Sequence, residues 1–419
     1  MKRTDSLIWL FLLVLLFQPV TAQVQLNDSA RISLLTASPW YEAVYAFFGH
    51  TAIRVHDDST GVDAVFNYGY FDSSQPRFIY HFIRGETDYV LGVITYDQFM
   101  AEYGYKGQEV IEQELNLTSN EKQELFGALV INALPENKRY RYNYFHDNCA
   151  TRPRDMVENY IHGTIEYPPT KEGQSFRDLV HEHVDHSSWV KFGIDLLIGS
   201  DADSDMDVRQ KMYIPSYLKN SFEEAIIHGN DTVADRPLVS HSRVVLLRDP
   251  EVNDPGKRAI ITPVIAAIIL LFFTILVSII QTIKLDKTKL PQLYDTFLFG
   301  IAGLAGVIVC VLMYFSEHPA TNPNWNFAWL NPFALLAAFL FWSKRAGNVV
   351  YSYHFINFAV LTIFLLLWWL IPQQLPWATI PFSLSLWLRS GTHVYMQRKE
   401  RVKSRRYASS RTLKRGWGI

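Results

Sequence analysis

Two cysteines in 419 residues rule out a disulfide framework. They cannot readily pair either, because Cys310 falls inside an apolar run of membrane-spanning character that a thiol from a polar domain does not reach. No Gly-rich phosphate loop, nucleotide motif, internal repeat, low-complexity tract or Ser/Gly linker occurs, and no cofactor is implied. Metal-ligand spacing is missing as well. His181, His183 and His186 of "HEHVDH" match no zinc pattern and read as solvated surface groups. Asp201, Asp203 and Asp205 begin like a calcium loop, but Met206 stands where such a loop turns on Gly and Met212 where it needs a bidentate Glu. That stretch reads as an acidic loop.

A uniform character is also lacking. The formal net charge of −2 and mean hydropathy of +0.01 conceal two different halves. Residues 23–258 hold 22 Lys and Arg against 36 Asp and Glu, a net of −14, whereas residues 259–419 hold 15 against 4, a net of +11. Ahead of both, residues 1–22 have a basic start (Lys2, Arg3), an apolar run from Leu7 to Phe17 and a small-residue exit at Val20-Thr21-Ala22. This predicts a signal peptide cut after Ala22, with an uncleaved anchor as the alternative; in either case the acidic half is exported.

Five apolar segments are expected to cross a membrane: 259–283, 294–315, 327–342, 355–371 and the short 377–388. With the acidic part outside, the inside loops carry Lys284, Lys287, Lys289, Lys344 and Arg345, while "SEHPATNPNW" and "PQQLP" outside hold no Lys or Arg. Trp325, Trp329, Trp342, Trp368, Trp369 and Trp377 gather at segment ends, as an aromatic belt does. Residues 391–419 form a basic cytoplasmic tail; from Arg398 to Arg415 it has nine basic residues and one acid, Glu400. It reads as a topology determinant resting on anionic lipid, not as a nucleic-acid arm. The expected organisation is therefore a signal peptide (1–22), an exported domain (23–248), a hinge-like linker (249–258), transmembrane helices (259–390) and the tail.

The exported domain reads as α+β. "HTAIRVHDD" and "DAVFNYGYF" alternate like strands around the turn "DDSTG". "DYVLGVITYDQFMAEY" reads as a strand entering a helix, "VIEQELNLT" as a strand, and "TSNEKQELFGALVINAL" as a helix capped by Thr118 or Ser119. "RYRYNYF" is strand-like, and "NCATRPRDMVENYIHG" is a helix ending at Gly163. Pro153 fits there only in the first turn, which puts the start between Cys149 and Arg152. A thiol at a helix N-terminus beside Arg152 and Arg154 is expected to favour thiolate, the nucleophilic form. The matching base is His50 in "FFGHTAIRV", at a strand start after a Gly that leaves room for close approach. Asn67, on the next strand, could orient the imidazole. So could His56, which shares a strand face with His50. A buried structural thiol is the alternative role for Cys149.

In this order, "FFGHTAIRV", "FNYGYF", "FIRGETDYVL", "NKRYRYNYFHDNCATRPRDMVENY" and "DLLIGSDADSDMDVRQKMYIPSYL", upstream of several membrane helices, resemble the Lnb family of Bacteroidetes lipoprotein N-acyltransferases over about residues 30–225 and the C-terminal helices. The periplasmic domain of that family is similar to circularly permuted papain-like enzymes of the NlpC-type and lecithin-retinol acyltransferase group, in which His precedes Cys. The resemblance implies Cys149 as nucleophile, His50 as base and, less firmly matched, Asn67 as third group; His146 matches no family position. It implies acyl transfer from a phospholipid or other acyl-lipid donor, through a Cys149 thioester, to the N-terminal amine of a diacylglyceryl-cysteine lipoprotein. Backbone N–H groups at the helix start would bind the oxyanion. The implied location is the inner (cytoplasmic) membrane, multi-pass, with the catalytic domain in the periplasm. The competing readings are a membrane-anchored periplasmic cysteine peptidase or amidase acting on cell-wall peptides, and a non-catalytic envelope protein.

Overall fold

The computed structural model describes residues 25–71, 76–229, 234–284 and 289–416, with side chains described except at 284 and 405–416. The predicted signal peptide and Lys287 lie outside the described residues. In chain order the exported domain contains β1 (Arg31–Ala37), β2 (His50–Asp57), β3 (Val62–Tyr70), α1 (Phe78–Ile83), β4 (Asp88–Thr95), α2 (Tyr96–Tyr105), β5 (Val110–Leu115), α3 (Ser119–Asn132), β6 (Arg139–Arg141) and α4 (Thr151–Asn159). It continues with β7 (Thr164–Glu166), α5 (Phe176–Val184), α6 (Ser188–Leu197), α7 (Val208–Lys211), α8 (Pro215–Glu223), β8 (Ile226–His228), β9 (Arg236–Pro237) and β10 (Val239–Leu246). Seven strands form one antiparallel sheet in the order β10-β5-β1-β2-β3-β4-β6, and β7-β8-β9 form a small second sheet.

Strand periodicity explains how the large sheet is covered on both faces. Ile32, Leu34, Ile53, Val55 and Phe66 pack on one side with Leu125, Phe126 and Leu129 of α3. Leu35, Ala37, Ala52 and Val65 pack on the other with Phe99 and Tyr103 of α2. Reciprocal capping boxes start both helices, Thr95 with Gln98 and Thr118 with Glu121. The strand expected over "RYRYNYF" stops at Arg141. Asn143 turns the chain there, its Oδ1 accepting the N–H groups of Phe145 and His146. The helix expected to run to Gly163 ends at Asn159.

The C-terminal part is helical: α9 (Pro263–Lys284), α10 (Leu290–Phe315), α11 (Phe333–Leu340), α12 (Gly347–Leu366) and α13 (Thr379–Gly416). Among the described residues three stretches are each long and apolar enough to cross a membrane by themselves: Pro263–Ile283, Leu290–Phe315 and Lys344–Leu366. Each of the five expected segments lies on one of these five helices, two of them in modified form. The segment expected over 327–342 is broken at Asn331-Pro332 and leaves α11 only eight residues. The one expected over 377–388 opens a 38-residue helix whose apolar run ends at Arg389, fully buried and bonded to Asp295 of α10 at 2.5 and 2.9 Å. Close packing replaces length: a Cβ on Gly303 would lie 2.1 Å from Leu335 N and one on Gly306 2.6 Å from Asn331 C.

The two parts are docked. Gly199 and Ser200 donate N–H groups to Ala320 O (2.6 Å) and Pro323 O (2.8 Å). Asn324 and Asn326 donate side-chain N–H groups to Leu196 O and Asp195 O, each at 2.9 Å, and Gln373 donates to Ile198 O at 3.0 Å. The linker is not a free hinge: Asn253 is buried, accepts Tyr41 N–H and donates to Pro39 O.

Candidate functional site

His50 opens β2, and the preceding Gly49 is needed there for a different reason than expected. Its φ of +80° favours glycine, and a Cβ would meet Ala37 O of β1 at 2.5 Å. The imidazole stacks on Tyr103 of α2, with ring centroids 6.1 Å apart. Its Nε2 lies 3.2 Å from Oδ1 of the fully buried Asn67, whose Nδ2 faces Val65 O. An amide oxygen only accepts, so Nε2 carries the hydrogen and Nδ1 is left as the basic nitrogen. Burial lowers the His50 pKa to about 4, although the Asn67 hydrogen bond pulls the other way.

Cys149 lies two residues before α4 and is partly exposed. Backbone N–H groups of Thr51 and of Cys149 itself are directed at its sulfur, which sets the thiol beside the residue after His50. Gly69 of β3, whose φ of +102° favours glycine, lies alongside: a Cβ there would be in ordinary contact with the Cys149 Cβ at 3.4 Å. The expected thiolate is corrected. Burial pushes the thiol up to about 11, against the two N–H donors. Arg152 is engaged by Asp147 at 2.5 and 2.8 Å and lies 3.6 Å over the Tyr140 ring. Arg154 is buried and bonded to Asp155 and Arg209 O. The helix-start amides are committed too, because Asn148 Oδ1 accepts both Ala150 N–H (2.8 Å) and Thr151 N–H (2.9 Å).

His56 does not join the site. It faces Asp58 and Asp63 at 3.0 and 3.3 Å, about 20 Å along β2 from His50 at roughly 3.3 Å per residue. His146 packs against Phe176. The histidines expected on the surface are built into helix packing instead: His181 bonds Asp195 at 2.8 Å, His183 donates to Leu179 O and stacks on Phe48, and His186 sits edge-on to Tyr41 and Phe47. In the acidic loop, Asp203 pairs with the fully buried Arg177 at 2.6 Å. Among the described residues no group of three or more His, Cys, Asp or Glu could hold a metal ion.

Sequence reasoning missed the aromatic wall. Tyr89 stacks on Tyr142 at 4.1 Å, Tyr142 lies 6.4 Å from Tyr140, Tyr103 stacks on His50, and burial raises these phenols above the usual tyrosine range. The density of Tyr in "RYRYNYF", running up to the cysteine, was the available signal.

An exported sheet domain that sets a thiol beside the residue after His50 and is docked on apolar helices defines the class, a membrane-anchored periplasmic enzyme. The sequence model of the Lnb N-terminal periplasmic domain matches residues 17–181 and that of the Lnb transmembrane domain residues 255–401, and the chain belongs to the Lnb family. No curated protein and no solved structure matches it.

Proposed function

We propose that the protein is a lipoprotein N-acyltransferase in which Cys149 is the nucleophile, His50 the base and Asn67 the group that orients it, on a permuted papain-like domain. The observation that carries this reading is the Asn67–His50 hydrogen bond at 3.2 Å with the Cys149 sulfur held by Thr51 N–H, in a chain of the Lnb family. The order is strand histidine first and helix-start cysteine second.

Both partners rest uncharged, so the proton leaves Sγ for His50 Nδ1 as sulfur attacks the ester carbonyl of a membrane phospholipid. The carbon–oxygen bond breaks, His50 returns the proton to the leaving alcohol, and a lysolipid departs. The α-amine of a diacylglyceryl-cysteine lipoprotein then attacks the thioester, the carbon–sulfur bond breaks, and the amine proton passes through His50 to sulfur. Thr51 N–H and Cys149 N–H, not the capped amides of Ala150 and Thr151, are the donors nearest the developing oxyanion. Extensive docking on the membrane helices suits two bilayer substrates better than it suits a soluble peptide, for which an anchor alone would do.

Mass spectrometry of lipoprotein N-termini tests this in cells lacking the protein, complemented with wild type or Cys149→Ala. N-acylation should disappear without the gene and return only with wild type. Unchanged N-acylation in the deletion strain overturns the function; full rescue by Cys149→Ala overturns the nucleophile. Release of free fatty acid or cleaved peptide, without N-acylation, favours the hydrolase.

A further inference from the structure

Among the described residues, α1 is an apolar helix whose outer face, opposite Phe78, is left uncovered by its own domain. In "FIYHFI", Ile79 is 72% exposed and Tyr80 51%, with Phe82 and Ile83 nearly as open. Such a surface is costly in water at about 25 cal/mol per Å² and marks a binding face. Its position says which kind. Glu317, just past the end of α10, donates its N–H to Arg84 O at 2.7 Å, and His318 Nε2 donates to Phe82 O at 2.7 Å. Gly85 admits this contact, since a Cβ there would lie 2.8 Å from His318 N. Tyr80, Ile83 and Arg84 enclose with Val311 and Phe315 of α10 an open apolar cavity of about 310 Å³. Ile308, Tyr314 and Phe315 carry the same exposed apolar surface on along the membrane helix.

Inward from α1 runs a row of rings. Phe82 to Phe78 is 5.8 Å between centroids, Phe78 to Phe71 5.8 Å, and Phe71 to Tyr89 5.3 Å. Tyr89 stacks on Tyr142 at 4.1 Å between centroids, and Phe71 lies two residues beyond Gly69, where a Cβ would touch the Cys149 Cβ at 3.4 Å. The row is comparable to one bilayer leaflet, about 15 Å of hydrocarbon. It runs from the cavity against α10 toward the strand that flanks the thiol.

We propose that α1 lies in the interfacial layer of the periplasmic leaflet and that this ring row is the track along which one phospholipid acyl chain is drawn from the bilayer to present its ester to Cys149. The occupant is a lipid acyl chain because Val311 and Phe315 of the cavity belong to a helix long and apolar enough to cross a membrane, and because the exposed face is apolar and aromatic, the composition of interfacial anchors. The proposal rests on the acyl-transfer reading, but its location in the membrane can be tested separately.

The test uses full-length protein in vesicles of phosphatidylethanolamine and phosphatidylglycerol, doped with a phosphatidylethanolamine carrying a diazirine at its acyl terminus. After irradiation and digestion, adducts are expected on the 77–84 peptide as well as on α10, in wild type and in Cys149→Ser alike. Adducts confined to the membrane helices overturn the proposal, including the case in which another protein normally covers α1. Phe78→Ala and Ile83→Ser should lower the ratio of Cys149 acylation by vesicle lipid to that by p-nitrophenyl acetate about tenfold, the equivalent of one buried side chain. An unchanged ratio also overturns it. If vesicle lipid never acylates wild-type Cys149, the acyl-transfer reading fails while the cross-link still decides where α1 lies.

Discussion

At neutral pH His50 is a neutral imidazole and Cys149 a thiol, because burial lowers the one to about 4 and pushes the other up to about 11. Iodoacetamide should therefore modify Cys149 about tenfold faster per pH unit from about pH 7 to pH 10; levelling near pH 8–9, where ordinary thiols titrate, would contradict the burial effect. The acid limb of the acylation rate belongs to His50, whose base form is lost as pH falls through about 4. Asn67→Asp puts a carboxylate beside Nε2 and should move that limb toward neutral pH, whereas a purely structural Asn67 would change the amplitude and leave the midpoint. Stability has the same sign. The folded pKa of His50 lies below its unfolded value of about 6.5, so its contribution is complete above that pH and declines as pH falls toward 4, by up to about 1.4 kcal/mol per unit. Melting curves of His50→Gln should show a shallower loss between those limits.

The helix that carries Cys149 is fixed by a residue whose importance is not evident from sequence. Asn148 is buried, accepts from Ala150 and Thr151, and donates to Tyr144 O and Tyr213 O at 2.8 and 2.9 Å. Asn148→Ala should cost on the order of 2 kcal/mol or more, since it removes a cap and strands two buried carbonyls, and urea unfolding would register it. Gly69→Ala should cost about 1 kcal/mol or more because of its φ of +102°, which urea unfolding would also register. What was legible at this scale obeyed local rules. β2, β3 and β5 show apolar alternation, α2 and α3 carry capping boxes, and Pro153 limits where α4 can begin. The placement of Asn67 beside His50 could be read from the hairpin, because register places neighbouring strands side by side. The charge state of the thiol could not be read. Arg152 and Arg154 are close in sequence, but which carboxylates claim them is a tertiary fact, and so is the aromatic wall.

Across the whole molecule, the periplasmic domain meets the membrane helices at several places, among them α1 with Glu317 and His318 and the segment 195–203, and Arg177 holds that segment from inside. The guanidinium is fully buried and bonds Asp195 at 2.8 Å, Asp203 at 2.6 Å and Gly199 O at 2.8 Å, while the same stretch bonds Ala320, Pro323, Asn324, Asn326 and Gln373 on its other side. Arg177→Met leaves two carboxylates without their partner and should destabilise the domain by about 3–5 kcal/mol, too blunt a change to isolate docking. Asn326→Ala combined with Gln373→Ala is the sharper perturbation, because both side chains belong to the membrane part and reach across to backbone carbonyls without entering the core of the exported domain. If docking serves to align Cys149 with the bilayer, the double variant should lose most of its acylation by vesicle lipid while iodoacetamide still modifies the thiol at the wild-type rate. A parallel fall in both rates would mean that the contacts merely keep the exported domain folded, and the membrane helices would then act as an anchor with no part in presenting lipid to the site.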